Sequence, residues 1–247
     1  MTAAAHCDDA DFLTGPYPRT PQQAADELAA CLQHLRGRFH QGIGGAENIL
    51  DSANNIVASE VSLDQDCTFF GGVPGRAKCN SIEGLGRALH GAQDFYSHSN
   101  WADESDPAQP IGPSNPPGLN LPGPSSFLDL SGSGTPVVPP GLSTGCFRIP
   151  DVDPGVPIIG CGARVTHAAL NKDLGLIDPV TETTSGPTTK RGMVKSNFAK
   201  AVTGAIVETR RQWSDFRNAL VARYGVTRAS LRICAITHDD PVRDCAV

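Results

Sequence analysis

The chain has 247 residues, enough for one sizeable core. With 19% charged and 39% hydrophobic residues it falls among globular proteins, and no run reaches the roughly 20 apolar residues of a membrane span. Its formal net charge of −6 argues against a stable nucleic-acid partner, because counterion release needs a basic surface; a small phosphate ester held by a metal stays open.

Residues 20–60 read as helix. Pro21 suits a first turn, and Leu28, Leu32, Leu35, Phe39, Ile43, Ala46, Leu50 and Ile56 recur at near-helical spacing. Gly42, Gly44 and Gly45 predict a break or kink that divides the segment into two helices. A cysteine-bounded loop follows from Cys67 to Cys79. From Asn80 the pattern is helical again, with Ile82, Leu85, Leu89, Ala92 and Tyr96 on one stripe and Ser81 as a candidate cap.

Residues 102–160 hold 13 of the 20 prolines and many glycines without lasting periodicity, and read as an ordered excursion. A disordered linker is the alternative. Residues 164–174 predict a short helix, and 197–224 a long one. Phe198, Val202, Ile206, Thr209, Trp213, Phe216 and Leu220 form the long helix's stripe, and Gly225 stands at the C-cap. No strand signal supports a sheet. The expected fold is all-α: one domain over 1–247, a helical bundle with a long Pro/Gly-rich loop excursion and about four disulfides.

Eight cysteines, Cys7, Cys31, Cys67, Cys79, Cys146, Cys161, Cys234 and Cys245, include no CxxC pair. That argues against a zinc ribbon and for an oxidising compartment, with reduced, buried cysteines as the alternative reading. Sequence leaves the connectivity open. Short loops close most easily, which favours Cys67–Cys79, Cys146–Cys161 and Cys234–Cys245 and leaves Cys7 with Cys31. The opening Met1-Thr2-Ala3 reads as a start placed ahead of a mature N-terminus, so the expected location is secreted or otherwise extracytoplasmic, with no signal peptide in the sequence.

The chemistry concentrates at 85–101, where His90, Asp94 and His98 stand four residues apart and climb one helix face at about 6 Å per step. Adjacent members of such a ladder can share a metal, as two histidines at i and i+4 do in metalloprotease helices. The outer histidines, about 12 Å apart by the same rise, cannot share one ion. A central carboxylate that bridges or neighbours two metals resolves this. A ladder of surface polar residues is the alternative. Further ligands must come from elsewhere in the chain. His6, within the acidic run His6-Cys7-Asp8-Asp9-Ala10-Asp11, and His167, followed by Asn171 and Asp173, are the leading candidates. His40, Glu47 and Asp51 near one face of the early helix, with Glu60 at its end, are additional ones.

The run Leu85-Gly-Arg-Ala-Leu-His-Gly-Ala-Gln-Asp-Phe-Tyr-Ser-His-Ser-Asn-Trp101 resembles the signature of Het-C-like proteins, the fungal heterokaryon incompatibility C family and its secreted CinY-like relatives. His167 with Leu170-Asn171-Lys172-Asp173 resembles that family's second element, and residues 197–216 its Ala-rich C-terminal helix. The family is distantly similar to zinc-dependent phospholipases C and single-strand nucleases. The resemblance implies His90 and Asp94 as zinc ligand and bridging carboxylate, His98 as the next ligand, and His167 as a later ligand of the same metal as His98.

The expected activity is that of a secreted metal-dependent hydrolase acting on a phosphate ester such as a phospholipid or nucleotide, with one to three zinc ions. Asp94 would bridge, and Lys172 or Arg87 would meet a phosphate oxygen. The expected partner is a small-molecule or lipid substrate, with at most transient membrane contact. A second reading is a metal-assisted lyase, cyclase or isomerase of a small metabolite. It is motivated by Asn171 standing where the hydrolases carry Glu, and by the shorter spacing from Asp94 to His98. A third is a noncatalytic secreted module.

Overall fold

The computed structural model describes residues 3–64, 66–67, 75–148 and 160–245. Residues 68–74 of the Cys67–Cys79 loop, 149–159 of the excursion, and Met1-Thr2 lie outside the described residues. In chain order the elements are α1 (Ala3–His6), α2 (Pro21–Gly45), a 3-10 turn (Glu47–Ile49), α3 (Ala58–Val61), α4 (Ala77–His98), α5 (His167–Leu170), β1 (Leu176–Ile177), β2 (Thr184–Ser185), α6 (Asn197–Tyr224), α7 (Val226–Thr237) and α8 (Pro241–Asp244). The chain is 47% helical and its one sheet among the described residues is the two-residue antiparallel pair β1–β2, so the fold is all-α. Four disulfides join Cys7–Cys31, Cys67–Cys79, Cys146–Cys161 and Cys234–Cys245. They suit an oxidising environment. No helix among the described residues is long and apolar enough to cross a membrane.

Two compact units divide the chain: residues 1–34, 90–129 and 133–210 form the first, and 35–89, 130–132 and 211–247 the second. In the second unit, Gly42 and Gly84 permit backbone-to-backbone contact. A Cβ on Gly84 would lie 2.3 Å from the Gly42 nitrogen, and one on Gly42 would lie 2.8 Å from the Leu85 nitrogen. The glycine cluster expected to split a helix therefore serves proximity, and α2 runs unbroken to Gly45. A second long helix does not follow; residues 46–61 form a 3-10 turn, a bend and the four-residue α3.

Glu60 accepts the Ala77 backbone N–H at 2.6 Å, so it caps the start of α4 that was expected near Ser81. Ile82, expected on the buried stripe, is exposed, and Ser81 is buried in its place. Arg232 of α7, almost fully buried, donates to the carbonyls of Ala46 and Glu47 and lies 4.0 Å over the Tyr224 ring, satisfying backbone acceptors just past α2. Gly225, at φ +77°, ends α6 and starts α7 within one residue, a conformation that favours glycine.

In the first unit the Pro/Gly-rich excursion is held by asparagine side chains that replace ladder hydrogen bonds. Asn100 donates to the carbonyls of Pro117 and Gly141 and accepts from Ser143 N–H. Asn115 holds Asp106 through both its amide and its oxygen, and Asn197 does the same for Glu104. Phe127 stacks on Phe95 of α4 at 5.7 Å, so the described part of the excursion carries its own core residues. The short helix expected over 164–174 is a single turn, His167–Leu170, capped by the Thr166 hydroxyl.

Candidate metal centre

Three segments of the first unit deliver metal-competent side chains to one place: the N-terminal run 6–11, the end of α4, and the turn at His167. The pairing of the N-terminal run explains its register. Asp9 N–H donates to the Gly145 carbonyl, and Ala10 and Thr144 exchange hydrogen bonds. The segment beyond Gly145 continues to the third donor, because Cys146 bridges Thr166 and His167 N–H donates to the Cys146 carbonyl. A Cβ on Gly145 would fall 2.3 Å from the His167 Cα, so only glycine lets these backbones approach. Cys7 and Asp9 adopt positive φ (58° and 68°), a strained conformation for non-glycine residues that the Cys7–Cys31 disulfide and this pairing hold in place.

The acidic run separates into two kinds of carboxylate. Asp9 pairs with Arg148 and Arg164, and Asp11 with Arg164 and the Tyr17 hydroxyl. Among the described residues Asp8 has no arginine partner. Its Oδ1 is buried without a hydrogen bond and lies 3.8 Å from His167 Nε2. Burial pushes the Asp8 carboxyl up to about 7, against the opposing pull of His167 and His6.

Residues four apart on a helix rotate by about 40° per step, so a ladder of three winds around the axis. His90 is 59% exposed, Asp94 19% and His98 7%. Two groups result. In the outer one, His6 Nδ1 lies 2.6 Å and His90 Nε2 3.2 Å from the same Asp94 oxygen, and the two rings meet edge to face. The hydrogen bond to Asp94 raises the His6 pKa despite desolvation. In the inner group His98 and His167 have ring centroids 3.6 Å apart, with Asp8 beside His167 and Asp173 bonded to His98 Nε2 at 2.8 Å. Desolvation lowers the His98 pKa even with Asp173 beside it. Burial works to raise the Asp173 pKa, and the His98 hydrogen bond and charge bring it below its usual value.

His6, His90 and Asp94 are thus brought together, as are His98, His167 and Asp173. Asp8, read in the sequence only as part of the acidic run 6–11, joins them. It stands within electrostatic reach of His6, Asp94 and His167, which links the two groups. The remaining sequence candidates lie elsewhere. Lys172, expected at a phosphate oxygen, is fully buried and donates to the carbonyls of Ser99 and Leu170 and to Asp103. Its backbone N–H bonds the Ser97 carbonyl, and this anchorage sets Asp173 beside His98. The Asn171 side chain accepts from the Asp173 N–H. In the second unit, Glu47 pairs with Arg223, Asp51 accepts the N–H groups of its own turn at Ala53 and Asn55, and Arg87 pairs with Glu83.

The donor set fits a divalent cation. Imidazole and carboxylate are zinc ligands, His6, His90 and Asp94 converge on one point, and Asp8 Oδ1 and His98 Nδ1 are buried polar atoms without hydrogen-bond partners. A second group, Cys234, His238 and Cys245, also converges. Its two sulfurs are joined to each other, so it offers no thiolate while that disulfide stands. Compared with known protein families, with curated proteins and with solved structures, the chain finds no match.

Proposed function

We propose that this protein is a zinc-dependent hydrolase of phosphate esters that works outside the cytoplasm. The observation that carries the reading is the convergence of His6 and His90 on Asp94, with the buried carboxyl of Asp8 joining them to the buried His98–His167 pair. The outer ion would be held by His6, His90 and Asp94, and the inner one by Asp8, His98 and His167. Bound zinc supplies Lewis acidity to a phosphoryl oxygen and lowers the pKa of water.

The chain's own groups prepare that chemistry. His90, the exposed member, marks the side from which substrate enters. Asp9 and Asp11 are neutralised by arginines, which keeps their charge away from an incoming phosphate. Asp173 orients the His98 ring through Nε2. The resemblance of residues 85–101 to Het-C-like proteins, and through them to zinc phospholipases and nucleases, agrees with this reading, and the four disulfides agree with an extracytoplasmic site of action.

The test is elemental analysis of the purified protein, then hydrolysis of a phosphomonoester and phosphodiester panel by wild type and Asp94→Asn. Zinc at one to three equivalents is expected, with activity reduced at least 100-fold in the variant. Zinc-loaded protein inert across the panel overturns the proposal.

A further inference from the structure

A cleft of about 490 Å³ opens beside the inner donor group. One wall is α6, where Phe198, Val202, Ala205 and Ile206 recur at helical spacing, and Ile177 of β1 also lines the cleft. Asp173 belongs both to this wall and to the hydrogen bond with His98, so the cleft is continuous with the candidate metal centre. Its volume lies in the range of small-molecule sites.

Shape and chemistry narrow the occupant. From Phe198 to Arg210 the wall extends about 18 Å at the helical rise, so the cleft is elongated along α6. The polar groups of the wall are already engaged with one another. Gln93 donates to the Thr209 hydroxyl, which donates to the Ala205 carbonyl, and Arg210 pairs with Glu182. A peptide backbone would find few partners for its N–H and C=O groups there, and a nucleobase few for its edge. Ile177, which lines the cleft, is 51% exposed, and its β1 neighbour Leu176 is exposed as well.

We propose that the cleft is the specificity subsite of this protein and takes the unbranched alkyl chain of an anionic amphiphile, whose polar group then reaches past Asp173 to the cation-binding donors. The assignment of that polar group as the scissile phosphate ester rests on the hydrolase reading; the chain-binding role of the cleft does not. Val202, Ile206 and Ile177 select for the chain, and the site discriminates against nucleotides of equal charge.

The experiment is calorimetric titration of butyl, hexyl, octyl and decyl phosphate, each below its micellar concentration, into zinc-loaded and chelated protein. Affinity is expected to rise roughly fourfold per methylene. The slope should persist in the chelated protein, while zinc strengthens all four ligands together. Ala205→Trp, which fills the cleft, and Ile177→Asp, at an exposed position where folding is not at stake, should each flatten the slope and leave zinc content unchanged. Equal affinity for butyl and decyl phosphate, a slope untouched by Ile177→Asp, or adenosine monophosphate binding as tightly as decyl phosphate overturns the proposal. If the slope stands but no phosphoester is cleaved, the cleft assignment holds and the hydrolase reading alone falls.

Discussion

Asp103→Asn separates a structural role for Lys172 from a catalytic one. Asp103 is fully buried and is the shared carboxylate of two buried cations. Its Oδ2 accepts from Lys172 Nζ at 3.1 Å and Arg191 Nε at 2.7 Å, and its Oδ1 from Arg191 Nη2 at 2.9 Å. Burial pushes the Lys172 pKa down, and Asp103 is the first group that pulls it back. Asparagine matches the shape, yet both carboxylate positions face donors, so either amide orientation points an NH₂ at an N–H. The substitution also leaves two buried cations without their anion.

Breaking a buried pair by removing one partner costs about 3–5 kcal/mol. For a chain of this size, at about 2–4 °C per kcal/mol, the melting temperature should fall by roughly 6–20 °C. Differential scanning calorimetry with the disulfides intact reads this directly. Lys172→Met should cost less, because Arg191 still neutralises Asp103, although the carbonyls of Ser99 and Leu170 lose a donor. A melting temperature for Asp103→Asn within 3 °C of wild type would refute the account of this cluster. Loss of phosphoester cleavage in Lys172→Met without loss of stability or zinc would return Lys172 to the reacting centre.

Two further tests address helix proximity and the N-terminal ligand. Gly84→Ala should destabilise by about 1–3 kcal/mol, since its Cβ would meet Gly42 backbone that cannot rotate away, while Gly86→Ala, with nothing within 4 Å, should stabilise by about 0.5–1 kcal/mol. Urea denaturation of the two variants checks the opposite signs, and the same sign for both would contradict the packing of α2 on α4 within the second unit. The paired substitutions Cys7→Ser and Cys31→Ser open a loop with a sequence separation of 24, worth ~3 kcal/mol in the chain-entropy account. They should also lower zinc retention under mild chelation, because the strained backbone at Cys7 and Asp9 aims His6 and Asp8. Unchanged retention would mean that the pairing with Gly145 and Thr144 suffices to position the N-terminal run.

Periodicity over 197–224 predicts α6 with its bounds, whereas the pattern over 20–60 predicts two helices where the fold has α2 over Pro21–Gly45 and only short turns after it. The α7 helix carried no expectation, because it opens one residue after Gly225 and starts on the β-branched pair Val226-Thr227. A sequence window sees such a junction as an ending. The Gly42 and Gly84 contacts were illegible for a different reason. Glycine reads as a helix breaker until the helix packed against it is known, and that partner lies some 40 residues away in sequence. Within the site, the four-residue spacing of His90, Asp94 and His98 is legible, but the winding of the ladder, which parts His98 from His90 and Asp94, is not. Lys172 was misread because a lysine next to candidate ligands suggests a phosphate contact. Burial decides otherwise, and burial depends on Asp103 and Arg191 from distant segments.

Asp8 shows what remains when local charge is sorted by tertiary structure. In the sequence it is one acid among three, equal to Asp9 and Asp11. In the fold, Arg148 and Arg164 take the other two, which leaves Asp8, Asp94 and Asp173 facing four imidazoles, with no lysine or arginine among their ion-pair partners in the described residues. Imidazoles neutralise such a cluster only by staying protonated, and desolvation already disfavours the charged form of His98. Burial disfavours the charged form of the Asp8 carboxyl, which must then take up a proton or a cation, and its elevated pKa is the protonated solution. A divalent ion is the other, and it would use the same Asp8 Oδ1 and His98 Nδ1 that make no hydrogen bond within the protein.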